Sequence, residues 1–196
     1  MTDLEDMELI ANLVPLGARV LDLGCGDGRM LEYLQTHRKC TGYGVEFSAP
    51  NVVKCIQRKV NVLQLNLENG LSLFKDQTFD IVLQLDALQH LRSTEAILME
   101  ATRVGRICIV SFPNFAHWPN RLSILLGRMP VTKRLPYQWY ETPNIRVVSY
   151  SEVLGLAKKR GLKIVDSFGV HKGSTVRLLP NLLASVALFK LQGALG

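Results

Sequence analysis

Three closely spaced glycines preceded by an aspartate are the residues whose chemical meaning is clearest. Residues 20–28 read VLDLGCGDG, so Gly24, Gly26 and Gly28 follow directly on an apolar run. Because glycine lacks a Cβ, the backbone there can turn tightly and approach a ligand closely. The GxGxG spacing differs from the GxGxxG spacing of the dinucleotide-binding loop. The segment therefore predicts a loop that binds a different cofactor.

A second carboxylate completes the pattern. Glu46 ends the next apolar run, 22 residues after Gly24. A carboxylate at such a position can accept hydrogen bonds from both ribose hydroxyls, as it does in NAD-binding domains. Glu46 therefore predicts a ribose-containing ligand without choosing among cofactors. Considered without the glycine motif, Glu46 has an alternative interpretation as a surface residue at the end of a strand.

The glycine cluster and Asp22 resemble motif I of class I S-adenosylmethionine (SAM)-dependent methyltransferases. The resemblance implies that the loop passes beside the methionine half of SAM or S-adenosylhomocysteine. It also implies that Asp22 contributes to the hydrogen bonding of the ammonium group of that cofactor. An aspartate is usual in this family where Asn66 stands, near the adenine amino group. The implied cofactor-binding residues are Asp22, Gly24, Cys25, Gly26, Gly28, Glu46, Phe47, Asn66, Leu67 and Gln84.

The residues that methyl transfer requires depend on the nucleophilicity of the acceptor. A good nucleophile needs mainly positioning, whereas a weak one needs a base. His90, His117 and Asp86 are candidate bases, although a lone histidine is more often a packed or surface residue. Asp86 is either a substrate-facing carboxylate or a helix cap. Gln89 and Asn114 are further candidates for contact with a substrate.

The cysteines predict neither a metal site nor a disulfide framework. Four of them lie 15 or more residues apart, with no CxxC pair. Zinc sites and disulfide scaffolds use closer or paired spacings. We therefore expect four reduced thiols and no metal: Cys25, Cys40, Cys55 and Cys108.

The elements that must position these residues alternate between strand and helix. This alternation predicts βαβ units and a parallel sheet covered on both faces. The third glycine is expected at the start of the first helix of this pattern, and Ser48 or Asn51 is expected to cap the helix that ends at 57. Ser151 is expected to cap the last helix. The predicted strands are 18–23, 41–46, 61–67, 79–85, 106–112, 162–170 and 184–191, and the predicted helices are 27–37, 48–57, 93–103, 118–127 and 151–160.

One segment interrupts the alternation. Residues 113–149 contain five prolines and a cluster of aromatic residues. This composition predicts an insert or a lid within a single domain that spans residues 1–196. Aromatic residues and arginines are enriched at interface hot spots. The segment is therefore either a partner contact surface or a lid with buried aromatics; the contact candidates are Trp118, Arg121, Arg128, Tyr137, Trp139 and Tyr140.

Residues 111–145, SFPNFAHWPNRLSILLGRMPVTKRLPYQWYETPNI, closely resemble the MetW family of bacterial methionine biosynthesis. The resemblance extends through FDIVLQLDALQHL and the end of the chain. It implies a single Rossmann-like class I methyltransferase fold, α/β, with a mostly parallel seven-stranded sheet, an antiparallel last strand and helices on both faces. It also implies a partner, the homoserine O-acyltransferase of the MetX type. SAM is the end product of that pathway, so a SAM pocket on an accessory subunit can sense it.

Charge and hydropathy exclude other classes. Residues 1–102 hold 9 Lys/Arg against 14 Asp/Glu, and residues 103–196 hold 14 against 3. The basic residues are scattered and no reader motif is present, so we expect no nucleic-acid partner. Without a long apolar run or a basic leader, we expect no membrane span and a cytoplasmic protein. The alternative function is that of a SAM-dependent methyltransferase acting on a small anionic metabolite.

Overall fold

An eight-stranded sheet is the centre of the computed structural model, which describes residues 4–193. The strand order is β3-β2-β1-β4-β5-β8-β6-β7. The five strands from β3 to β5 pair in parallel, whereas β8 is antiparallel to both β5 and β6. The strands are β1 (Arg19–Leu23), β2 (Thr41–Glu46), β3 (Val62–Gln64), β4 (Phe79–Leu85), β5 (Gly105–Pro113), β6 (Lys163–His171), β7 (Ser174–Val176) and β8 (Val186–Gln192).

The α/β class and the mostly parallel sheet confirm the prediction, and the count exceeds it by one short strand. Residues 174–176 fold back on β6 through a turn at Gly173, whose φ is +76°. A strand of three residues is too short to produce a periodic pattern in the sequence. β8 is the predicted antiparallel strand.

Helices cover both faces of the sheet, and each face has its own apolar core. One core contains Ala101 of α4 and Ala157 of α6, and the other contains Ile10 of α1 and Leu34 of α2. No helix within residues 4–193 is long and apolar enough to cross a bilayer. The helices are α1 (Leu4–Leu13), α2 (Arg29–Arg38), α3 (Ala49–Gln57), α4 (Thr94–Val104), α5 (Trp118–Leu125), α6 (Tyr150–Lys159) and α7 (Pro180–Leu183).

Two local predictions were wrong. The third strand was predicted over 61–67 but ends at Gln64, because Asn66 begins a 3₁₀ turn by accepting a hydrogen bond from the Glu68 amide at 3.0 Å. The cap of α6 is Ser149 rather than Ser151, since the Ser149 hydroxyl accepts from the Glu152 amide at 3.3 Å.

Helix α3 turns a different side to the core than its apolar spacing indicates. Val53 and Ile56 are 52% and 64% exposed, whereas Cys55 is fully buried. The reason is the close approach of α3 to the glycine loop. A Cβ on Gly28 would lie 2.9 Å from the Cys55 Sγ atom, so a larger residue there would force the Cys55 side chain or the helix to shift.

The segment after α5 is held against the rest of the molecule by hydrogen bonds and an ion pair. The Ile145 and Arg146 amides donate to the Gln89 carbonyl at 2.9 and 3.1 Å. Arg134 forms a 2.6 Å ion pair with the buried Asp6 of α1. An isolated bridge from Thr132 to Leu135 encloses Arg134, and the chain from there to Ile145 has no helix or strand.

Candidate functional site

The glycine loop leaves the end of β1 in a conformation that favours glycine. Gly24, Gly26 and Gly28 have φ values of +76°, +57° and +79°. L residues with a Cβ adopt this left-handed region at a cost of about 1–2 kcal/mol. The amides of Gly24 and Cys25 both donate to the Val45 carbonyl, at 2.8 and 3.1 Å, which fixes the loop against the end of β2.

Glu46 lies beside this loop and is oriented by backbone amides. Its Oε2 accepts from the Gly26 amide at 2.8 Å. Its Oε1 accepts from the amides of Phe47 and Ser48, at 2.9 and 2.8 Å. These amides precede α3, where the helix dipole also favours a negative charge. The carboxylate is therefore held in one orientation at the edge of the loop.

Asp22 is the buried acid of the site. Burial raises the pKa of Asp22 to about 7, and the nearby negative charge of Glu46 contributes to the rise. A carboxylate in this state is poised to ionise when a cation approaches, since an opposite charge within reach lowers its pKa. The position suits a ligand that carries an ammonium group.

A cavity of about 340 Å³ opens at this loop. It brings together four of the predicted cofactor residues, Asp22, Gly24, Cys25 and Gly26. A Cβ on Gly26 would meet no heavy atom within 4 Å, so this position borders open space. The residues that the sequence reasoning missed are Met7, Asp27, Arg29, Met30, Asn51, Lys54 and Leu85.

Little in the sequence pointed to those missed residues. Met7 comes from α1, which has no chemical motif, and Leu85 is one apolar residue among many in β4. Asp27 and Arg29 lie within or next to the glycine motif, and they form a 2.8 Å ion pair that lowers the pKa of Asp27. The charged pair is thus already satisfied within the protein.

The other six predicted cofactor residues, which include Glu46 beside the loop, are not among the residues that line this cavity. Gly28 serves the packing of α3, as described above. The Asn66 side chain caps its 3₁₀ turn, and Phe47 is 70% exposed. Leu67 is buried in the core on the α4 side. Gln84 is fully buried, and it follows Leu83 and precedes Leu85, which face the opposite core.

The four cysteines are free and buried. The Sγ atoms of Cys25 and Cys55 are 3.9 Å apart beside the glycine loop. Burial raises the pKa values of both thiols, which keeps them protonated and unreactive at neutral pH. Among residues 4–193 there is no group of three side chains able to hold a metal ion.

The candidate bases lie outside the lining of the cavity. His90 is exposed, with its Nδ1 atom 3.3 Å from the Pro143 carbonyl. His117 is buried with its ring centroid 5.0 Å from that of His171, and burial lowers its pKa. Asp86 has a left-handed backbone, with φ +51°, directly after β4. The Gln89 side chain donates to the Asp86 carbonyl at 2.8 Å.

Asn114, directly after β5, has a structural role. Its Nδ2 atom is within 2.9–3.3 Å of the carbonyls of Pro180, Asn181 and Ala184. Its Oδ1 atom accepts from the Ala116 and Tyr150 amides, both at 3.2 Å. The side chain joins three segments of backbone and is only 1% exposed.

The aromatic residues of the 113–149 segment are largely at the surface. Trp118 is 51%, Tyr137 47%, Trp139 71% and Tyr140 69% exposed. Tyr137 and Trp139 also border a small cavity of about 90 Å³ under the segment. The Arg121 side chain donates to the Ala116 carbonyl at 2.6 Å and stays at the surface. This exposure fits a contact surface better than a lid with buried aromatics.

The sheet order, the glycine loop at the end of β1 and the acid at the end of β2 define the Rossmann-like methyltransferase fold. A SAM-dependent methyltransferase of Thermotoga maritima, described as a possible histamine N-methyltransferase, superposes with a TM-score of 0.69 and 22% identity over 96% of this chain and 87% of that chain. The [4+2]-cyclase SpnF superposes equally well, with a TM-score of 0.69 and 16% identity over 97% of this chain and 81% of that chain. The shared fold thus occurs in proteins described with different activities.

The chain belongs to the MetW family, as its sequence predicted. Residues 4–191 match the family described as methionine biosynthesis protein MetW. A bifunctional methionine biosynthesis protein MetXA/MetW of Rhodopirellula baltica is 34% identical over 197 aligned residues, which cover 93% of this chain. The chain spans about a third of that relative, 32% of its length.

Proposed function

We propose that this protein binds SAM or S-adenosylhomocysteine beside the glycine loop and acts as an accessory, regulatory subunit of a homoserine O-acyltransferase of the MetX type. The observation that carries the partnership is the Rhodopirellula relative, whose name joins MetXA and MetW in one chain. We extend this association in one chain to the two proteins where they are separate. We also propose that the protein is cytoplasmic and consists of a single domain, in which residues 113–149 form an insert.

The chemistry of the cavity supports SAM as the ligand. Asp22 would face the ammonium group, because its buried carboxylate gains most from a neighbouring cation. Glu46 would accept the ribose hydroxyls, since its backbone partners already fix its orientation. Gly26 would let the backbone approach the ligand, because its position borders open space. SAM supplies either a transferable methyl group or, in a sensor, a signal of pathway output.

A second candidate is a SAM-dependent methyltransferase that acts on a small anionic metabolite. The methyltransferases among the structural relatives support it, as does the basic second half of the chain. The accessory role is favoured because His90 and His117 contact other parts of the protein rather than the cavity. Of the two carboxylates in the lining, Asp27 is paired with Arg29, which leaves Asp22 as the carboxylate that could act as an acid or base.

Calorimetric titration with SAM, followed by co-purification with the acyltransferase, tests the proposal. We expect saturable SAM binding and a stable complex. Saturable binding without a complex, together with methyl transfer to a small metabolite, would support the second candidate. A protein that binds neither ligand nor acyltransferase would refute both parts of the proposal.

A further inference from the structure

Helix α5 has an inverted distribution of polar and apolar residues. Asn120 is the one buried residue of this helix. Its Nδ2 atom donates to the carbonyls of Asn114 and Phe115, at 3.3 and 3.1 Å. The helix is thus attached to the protein through a polar residue, whereas surface helices ordinarily bury their apolar side.

The opposite side of α5 is apolar and faces outward. Leu122, Leu125 and Leu126 have the i, i+3, i+4 spacing that places side chains on one face, and they are 46%, 82% and 67% exposed. Met129, 57% exposed, follows after the turn at Gly127. We call these four residues the α5 strip. Clusters of large exposed apolar side chains mark interaction sites in soluble proteins.

Charge around the strip restricts what can cover it. Residues 111–140 contain four Lys/Arg and no Asp/Glu. Arg134 is paired with Asp6, whereas Arg121 directly precedes the strip in sequence and Arg128 lies between Leu126 and Met129. A second copy packed on the same surface by two-fold symmetry would bring like charges together. A partner with an apolar groove and an acidic rim would complement the surface.

We propose that the α5 strip is the docking surface for the acyltransferase subunit, which contributes an apolar groove rimmed by Asp and Glu side chains. This inference rests on the proposed partnership. The fused relative supplies a protein partner for a surface of this kind, which favours a protein over a lipid bilayer as the occupant. The apolar strip supplies affinity, and the arginines supply orientation and association rate.

The test is the dissociation constant of the complex between this chain and the separate acyltransferase, measured for three forms of this chain. Leu125→Asp places a charge in the middle of the strip, and we expect affinity to fall at least about thirtyfold, as for an interface hot spot. Ile56→Asp is the matched control, because Ile56 is a comparably exposed apolar residue, 64%, on another helix. We expect it to bind like the wild type. Equal thermal stability of the two variants excludes misfolding.

Each other outcome overturns the assignment in a recognisable way. Wild-type affinity in Leu125→Asp, with the complex intact, would refute the strip and leave the partnership standing. Equal loss in both variants would also refute it. No complex with the wild type would refute the partnership itself. Sedimentation of the chain alone tests for a dimer, and flotation with phosphatidylserine vesicles tests for membrane binding. Self-association or vesicle binding that Leu125→Asp abolishes would identify a second copy or a bilayer as the occupant and refute the assignment.

Discussion

The amide of Gly26 donates a 2.8 Å hydrogen bond to the Oε2 atom of Glu46. This bond joins the two motifs that are 20 residues apart in sequence, the glycine loop and the acid at the end of β2. Glu46 also accepts hydrogen bonds from the Phe47 and Ser48 amides, which precede α3. The glycine loop, Glu46 and the start of α3 are therefore joined by hydrogen bonds into one unit. A ligand that contacts any of the three meets a site whose orientation is already set.

Substitution at Gly26 tests whether this loop is the cofactor site. Gly26→Leu projects a side chain from a position that borders the cavity, and we expect the dissociation constant for SAM to rise more than about tenfold. Gly161→Leu is the matched control, since Gly161 has φ +68° and equally open surroundings. Both variants should lose about 1–2 kcal/mol of stability through backbone strain. Calorimetry showing equal SAM affinity in the two variants would contradict the site.

The affinity for SAM should depend on pH through Asp22. Because the pKa of Asp22 is raised to about 7, the carboxyl is largely neutral below that pH and cannot attract an ammonium group. We expect affinity to rise as the pH increases through about 7, and Asp22→Asn to bind weakly with no such rise. Titrations across this pH range, with Asn12→Ala as a surface control, measure the effect. An identical pH profile in Asp22→Asn would contradict the assigned role.

The same pKa shift predicts an effect on stability without ligand. The folded-state pKa of Asp22 lies above its ordinary value of 3.8, so the folded state binds the proton more tightly than the unfolded state. The contribution of this group to stability is therefore largest at low pH and is lost as the pH rises from about 4 to about 7. At a pH of about 8, Asp22→Asn should be more stable than the wild type by one to a few kcal/mol. Denaturant unfolding that shows no gain would contradict the shift.

Asn114 should prove structural rather than ligand-binding. Asn114→Ala removes a buried amide that joins the backbone of β5, α6 and α7, so we expect a loss of about 2–4 kcal/mol of unfolding free energy. SAM affinity of the folded variant should be unchanged. Asn12→Ala, at an exposed position of α1, should leave stability within about 0.5 kcal/mol of the wild type. If Asn114→Ala lost SAM affinity without losing stability, Asn114 would be a ligand-binding residue and this prediction would be wrong.

The sequence predicted best where chemistry is local. The glycine spacing and Glu46 depend on backbone conformation and charge within a few residues, and the structure brings them together as described. Gly28 shows the limit of this reasoning, because in addition to its left-handed backbone it is approached closely by Cys55 from another helix. The residues next to Gly28 in the sequence do not indicate its contact with Cys55.

The same limit explains the other differences. Strand β7 pairs only because the turn at Gly173 returns the chain to β6. Met7 reaches the cavity through the placement of α1, which is a matter of packing against α2 and the sheet. A helix was predicted over 118–127, and the structure has it over Trp118–Leu125. The spacing of Leu122 and Leu125 gives this helix an apolar face. It cannot indicate that this face is left uncovered, since only the whole fold decides which side of a helix is buried.

The most direct test of the central claim is homoserine acylation by the purified acyltransferase, with and without this protein, across a SAM titration. We predict that the protein raises the acylation rate and that SAM changes the extent of this effect. The change should be lost in Gly26→Leu and kept in Gly161→Leu. An acyltransferase that is fully active alone, and indifferent to both this chain and SAM, would contradict the account.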